Sequence, residues 1–99
     1  MPPRTLHIAA ACLIDDDGRL LLVRKRGTRV FMLPGGKREA LESPLQTLAR
    51  ELDEELNLQL PDAAFTPLGH FNEAAANEAD TRVEADIFRA ALHLSLIHI

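Results

Sequence analysis

Three glutamates, Glu51, Glu54 and Glu55, follow one another at i, i+3 and i+4. On a helix that spacing gathers all three carboxylates onto one arc of surface. Like charges so placed destabilise an isolated helix by roughly 0.2–0.5 kcal/mol per pair. They also stand toward the C-terminal end of the segment, where the helix dipole disfavours anions. A divalent cation would reverse both penalties, because a hard ion such as Mg²⁺ prefers carboxylate oxygens and completes its shell with water and phosphate. Taken alone, three such glutamates also read as a solvated acidic face.

The elements that must position them are legible on either side. Ser43-Pro44-Leu45-Gln46 combines an N-cap serine, proline at the first helical position and a glutamine three residues past the cap, a capping box. At the far end Asn57 tolerates the left-handed conformation, Leu58 is placed to fold back onto Leu52, and Pro61 prevents continuation. The spacing therefore predicts a helix over 44–56, with Leu45, Leu48, Ala49, Leu52 and Leu56 as its buried stripe.

Upstream, Thr5 to Ile14 reads as a strand ending at Asp16-Asp17-Gly18, a hairpin signal. Arg19 to Arg26 is the expected returning strand, Gly27 to Arg29 a loop, Val30 to Leu33 a short strand, and Pro34-Gly35-Gly36 a turn. Phe65 to Phe71 and Arg82 to Leu92 read as later strands, with a polar loop at 72–81 between them. In that loop Asn77 and Glu78 are placed to contact a base or add a carboxylate, although loop polarity alone also accounts for them.

Gly36, five further residues, Glu42, seven more, then Arg50-Glu51-Leu52-Asp53-Glu54-Glu55-Leu56-Asn57-Leu58 resembles the signature of the Nudix family: G, five residues, E, seven residues, R-E-U-x-E-E-x-G-U, with U aliphatic. Every fixed position agrees except Asn57, where the family has glycine, and asparagine is the next most tolerant residue of a left-handed C′ position. The resemblance implies an α/β fold, the Nudix α/β/α sandwich with a mixed β-sheet. It also implies a Mg²⁺-dependent hydrolase (Mn²⁺ serving as a substitute) that cleaves the diphosphate linkage of a nucleoside diphosphate joined to another moiety, releasing a nucleoside monophosphate. Carried over residue by residue, Glu54 and Glu55 become metal ligands, Glu51 a ligand or the base that activates water, and Arg50 the group that orients a glutamate. Glu42 supports the cluster, and a backbone carbonyl at Gly35 or Gly36 completes the coordination. Among the basic residues leading into the glycine pair, Arg24 and Lys37 are the candidate phosphate contacts. A catalytically silent nucleotide-binding or regulatory module on the same scaffold, or an inactive truncated fragment, are the competing readings.

Composition sets the outer bounds. Ninety-nine residues, 46% hydrophobic and 26% charged, suit one small folded domain. The net charge of −4 speaks against a general nucleic-acid binder and leaves a small nucleotide-like anion as the expected partner. The single cysteine, Cys12, excludes an internal disulfide and fits a reducing cytoplasm. The apolar run Leu6 to Ile14 is short for an export signal and leads straight into three aspartates, and nothing approaches a membrane span. The domain is expected over 1–93 and to be incomplete at its C-terminus. Residues 94–99 read as a doubtful tail, and the apolar surface left by a missing second helix is compatible with association into a homodimer.

Overall fold

A computed structural model of the chain describes residues 4–74 and 80–93. The strands are β1 (Arg4–Ile14), β2 (Val23–Arg24), β3 (Phe31–Met32), β4 (Gly35–Lys37), β5 (Thr66–Ala74) and β6 (Thr81–Ala91), with one α-helix, α1 (Pro44–Leu56). A four-stranded sheet runs in the order β4-β1-β6-β5. β1 and β6 pair in parallel, while β4 on β1 and β5 on β6 are antiparallel, so the sheet is mixed as expected.

The helix boundaries agree with the reading from its caps. Ser43 accepts from the Gln46 amide at 3.1 Å, and the Gln46 side chain accepts from the Ser43 amide at 2.8 Å. Asn57 adopts φ 50°, ψ 41°, and its amide closes on the Asp53 carbonyl. The Leu58 amide reaches the Leu52 carbonyl at 3.2 Å, and both leucines are buried. Asparagine thus does here what glycine does in the family signature.

Parallel pairing sets His7 beside Glu84, Ala9 beside Asp86, Ala11 beside Phe88 and Leu13 beside Ala90 on one face of the sheet. The alanines of β1 let α1 come down close, and Leu48 and Leu52 fill the space together with Leu13, Phe88 and Ala90. Phe65 meets Phe88 edge to face at 6.4 Å. Each fully buried leucine contributes about 1.5–3 kcal/mol, so this layer fixes where the helix, and every carboxylate on it, sits over the sheet.

Five expectations need correction. Ala49 is exposed, and the buried position beside Leu48 belongs to Thr47, whose hydroxyl is satisfied by Glu42. The returning strand is only Val23–Arg24, preceded by a single bridge from Ile14 to Leu20. Pro34-Gly35-Gly36 is no simple turn, because Gly35–Lys37 is an edge strand on β1. The last strand starts one residue early, at Thr81, and β5 extends to Ala74. Among the described residues α1 is the only α-helix. A second helical layer of the sandwich is not present among them, and Asn77, Glu78 and the tail at 94–99 lie outside them.

Candidate active site

β4 carries the site on one side. Gly36 pairs with Ala9, and a Cβ built there would stand 2.3 Å from Glu51 Cδ, so the carboxylate of Glu51 rests directly on a position that holds no side chain. Gly35 has φ +149°, and a Cβ there would meet the Ala9 carbonyl oxygen at 2.1 Å. Only glycine fits such a place. The Gly35 amide donates to Glu55 Oε1 at 3.2 Å. The two glycines thus face two of the three helix carboxylates.

Arg50 ties the preceding loop to this edge. Its Nε donates to Glu42 Oε2 at 2.8 Å and its Nη2 to Glu42 Oε1 at 3.0 Å, a forked pair. The same guanidinium donates from Nη1 to Glu51 Oε1 at 2.9 Å and from Nη2 to the Lys37 carbonyl at 3.0 Å. Glu54 Oε2 and Glu39 Oε1 lie 3.6 Å from Nη1. Glu42 is held further by the Thr47 hydroxyl at 3.0 Å and the Glu39 amide at 2.8 Å, and its own carbonyl accepts from Arg38 Nε. One arginine therefore fixes the loop, β4 and Glu51 in a single network.

The electrostatics follow from these contacts. The Arg50 guanidinium, with the Glu39 amide and Thr47, holds Glu42 down to about 2 from an ordinary 4.5. Arg50 is shifted up, first by Glu42. Glu55 moves the other way: burial raises it, the Gly35 amide partly offsets this, and the charges of Glu51 and Glu54 raise it further. A carboxylate depressed in the folded state stabilises the fold above its unfolded pKa, and that contribution disappears as pH falls through the folded value. Between pH 4.5 and 2, melting temperature is therefore expected to fall more steeply in the parent than in Glu42→Gln, with the variant less stable at neutral pH. Parallel acid limbs in thermal melts of the two proteins would refute this role for Glu42.

Of the two basic candidates, Lys37 stands on β4, where its backbone carbonyl accepts from Arg50, but its side chain shares the face of its partner Ile8. It lines a groove of about 350 Å³ with Ile8, Ala10, Met32, Leu33 and Ile87 and the backbone of Gly35 and Gly36. Ile8 and Ala10 alternate with the Ala9 that faces the helix, so the groove opens on the sheet face opposite α1. Arg24 stands apart on the β2–β3 hairpin, its guanidinium 5.9 Å from the Phe31 ring centre. A polar row, for which the sequence carries no local signal, continues the helix-side face away from the core. In it His7 Nδ1 meets Glu84 at 3.0 Å, His70 Nδ1 meets Asp86 at 3.0 Å, and Asn72 donates to Glu84 at 3.2 Å. Only strand register reveals those pairs.

Among the described residues no three His, Cys, Asp or Glu side chains are already gathered as a metal cage; Glu51 Oε1 is occupied by Arg50 and Glu55 Oε1 by Gly35. The donor chemistry nevertheless fits a hard divalent cation. Three carboxylates share one helix beside a glycine edge with no Cβ in the way.

A family model of the NUDIX domain matches residues 4–94. The chain belongs to the Nudix family. Over 50 residues this Nudix chain is 46% identical to an RNA pyrophosphohydrolase of Halorhodospira halophila, a match covering 50% of the chain and 28% of that protein. It is 36% identical over 59 residues to a MutT-like protein of Streptomyces ambofaciens, covering 60% of the chain and 38% of the relative. The Nudix chain thus spans well under half the length of these two curated relatives. Its fold resembles the crystal structure of a MutT Nudix hydrolase from Burkholderia pseudomallei, with a TM-score of 0.77, 25% identity, and coverage of 97% of this chain and 74% of that one.

Proposed function

We propose that this Nudix chain is a Mg²⁺-dependent pyrophosphohydrolase that cleaves the diphosphate linkage of a nucleoside diphosphate joined to another group, releasing a nucleoside monophosphate. The observation that carries the reading is Glu51 seated against the bare Cα of Gly36 and held there by Arg50. An acidic cluster with no such task has no physical need of a guanidinium and a glycine edge. The pyrophosphohydrolase and MutT names of the relatives support the same reaction class.

In this reading Glu54 and Glu55, with a carbonyl of Gly35 or Gly36, would hold the cation. When bound, the cation neutralises phosphate charge and acidifies a water. Arg50 engages Glu51 Oε1, and among the described residues Oε2 has no hydrogen bond, which leaves it to act as a ligand or as the base that takes the proton of the attacking water. Glu42 and Thr47 act through Arg50 as positioning residues. Lys37 contacts the phosphates from the groove, which accepts the apolar face of the nucleoside, while Arg24, held over Phe31 on the separate β2–β3 hairpin, is left out of this site. A cytoplasmic location belongs to the same proposal, on the strength of the free thiol of Cys12.

The test is a panel of nucleoside triphosphates, nucleotide sugars and dinucleoside polyphosphates assayed with Mg²⁺, with Mn²⁺ and in EDTA. Release of a nucleoside monophosphate that stops in EDTA and returns with Mg²⁺ is the expected result. Nucleotide binding without turnover on any substrate would replace the enzyme with a silent nucleotide-binding module.

A further inference from the structure

The overall charge of −4 conceals a sharp segregation. From Arg19 to Arg38 there are seven Lys and Arg residues and no Asp or Glu, a local charge of +7, while the rest of the chain carries −11. Arg19 is paired with Asp15 and Asp17, and Arg38 donates to the Glu42 carbonyl. The other five, Arg24, Lys25, Arg26, Arg29 and Lys37, are exposed and have no carboxylate partner among the described residues. Four of those five stand on or flank one small hairpin.

That hairpin is a built feature. Val23 pairs with Met32 and Arg24 with Phe31. The turn is closed by the Thr28 amide on the Lys25 carbonyl at 3.0 Å, with the Thr28 hydroxyl on the same oxygen at 2.9 Å. Gly27 supplies the φ of +80° that the turn requires. Beside the cations it shows Val30, Phe31 and Met32 to solvent, Phe31 at 60% exposure with the Arg24 guanidinium against its ring. Exposed aromatic surface costs free energy in water, and a purely solubilising patch of cations would not include it. Cations tracking a phosphate backbone, with an aromatic ring on which a base stacks, are the two components of an unpaired-strand binding surface.

We infer that the β2–β3 hairpin is a docking surface for an unpaired polynucleotide strand, whose phosphates meet Lys25, Arg26 and Arg29 and one of whose bases stacks on Phe31 beside Arg24. The hairpin runs from Met32 through Leu33 and Pro34 into β4, and Met32, Leu33 and Lys37 line the groove at Gly35 and Gly36. A strand seated there with its 5′ end toward β4 would bring that end to the glycine ribbon on whose other face Glu51 and Glu55 rest. This last step rests on the hydrolase reading above and names its substrate class: a polynucleotide with a 5′-polyphosphate, not only a free nucleotide. The docking itself does not depend on that reading.

Binding of a fluorescent, unpaired oligoribonucleotide is measured by anisotropy in EDTA, where nothing is turned over, across a range of salt concentrations. The parent is expected to bind saturably, and better when the strand carries a 5′-triphosphate than a 5′-hydroxyl. Lys25→Glu/Arg26→Glu/Arg29→Glu is expected to weaken binding at least about tenfold and to flatten the logarithmic salt slope by about 0.7 for each phosphate no longer neutralised. Phe31→Ala is expected to weaken oligonucleotide binding about tenfold while leaving inorganic polyphosphate binding unchanged. Circular dichroism confirms that each variant is folded, and Arg26→Gln alone serves if the triple variant is not. The proposal is overturned if the parent shows no saturable binding, if charge reversal shifts the affinity less than twofold, or if Phe31→Ala affects neither ligand. It is equally overturned if duplex or anionic phospholipid vesicles are preferred to the unpaired strand. An unpaired deoxyribonucleotide arm shows which sugar the surface prefers. Binding without hydrolysis would sink the enzyme reading alone, and hydrolysis of free nucleotides without strand binding would sink this one alone.

Discussion

Glu54→Gln is expected to lower kcat/KM at least about a hundredfold on whichever substrate the panel identifies, a loss of about 2.7 kcal/mol of transition-state stabilisation. The substitution keeps size and shape and removes only the charge that would hold the cation. Glu54 suits the experiment because its side chain is 59% exposed and its one ion pair among the described residues is the 3.6 Å approach to Arg50. Exposed pairs of that kind contribute about 0–1 kcal/mol, so the melting temperature should remain near that of the parent. Mg²⁺ or Mn²⁺ affinity, read by calorimetry on the same preparations, should fall together with turnover. Equal turnover by the two proteins would remove Glu54 from the chemistry. An activity that disappears together with the fold would be recognised in the same melts.

The glycine pair gives the second large effect, because its two members fail differently. At Gly36 the clash of an added Cβ is with the end of the flexible Glu51 side chain, and the backbone there is not in the left-handed region. Gly36→Ala should therefore fold while pushing the Glu51 carboxylate off its seat, lowering kcat roughly tenfold to a hundredfold, as displacements near 1 Å do. At Gly35 the added Cβ meets the Ala9 backbone, and φ is +149°. Gly35→Ala should cost about 1–3 kcal/mol or more, which in a chain of this size lowers the melting temperature by roughly 4–8 °C per kcal/mol. Melts and steady-state rates on both variants separate the two positions. A Gly36→Ala protein with parental kcat would show that Glu51 does not need that seat.

What could be read in the sequence was what local chemistry encodes. The helix and both its ends follow from Ser43, Pro44, Gln46 and Asn57, whose partners lie within a few residues. The carboxylate constellation follows from helical spacing once the helix is accepted. Thr47 escaped because its burial depends on Glu42 accepting its hydroxyl, a contact no apolar periodicity records. The β4 strand escaped because glycine carries no strand preference; it is a strand only because Ala9 and Ala10 pair with it. The row of His7, Glu84, His70 and Asp86 escaped for a related reason, since its members meet only through the parallel register of β1 with β6 and the antiparallel register of β5 with β6. Net charge was the least informative quantity, because a sum over the whole chain averages away the opposition between its acidic bulk and its basic hairpin.

At residues 35 and 36 the partition between the helix-borne carboxylates and the groove on the opposite face is a single peptide ribbon bare of side chains. If the proposed function holds, chemistry and ligand choice are housed in separate compartments that meet, among the described residues, at that ribbon. Exchanging Ile8, Met32 or Ile87 would reshape the groove without disturbing a contact of Arg50 or Glu51. A lineage built on this plan is free to change its diet while its teeth stay the same.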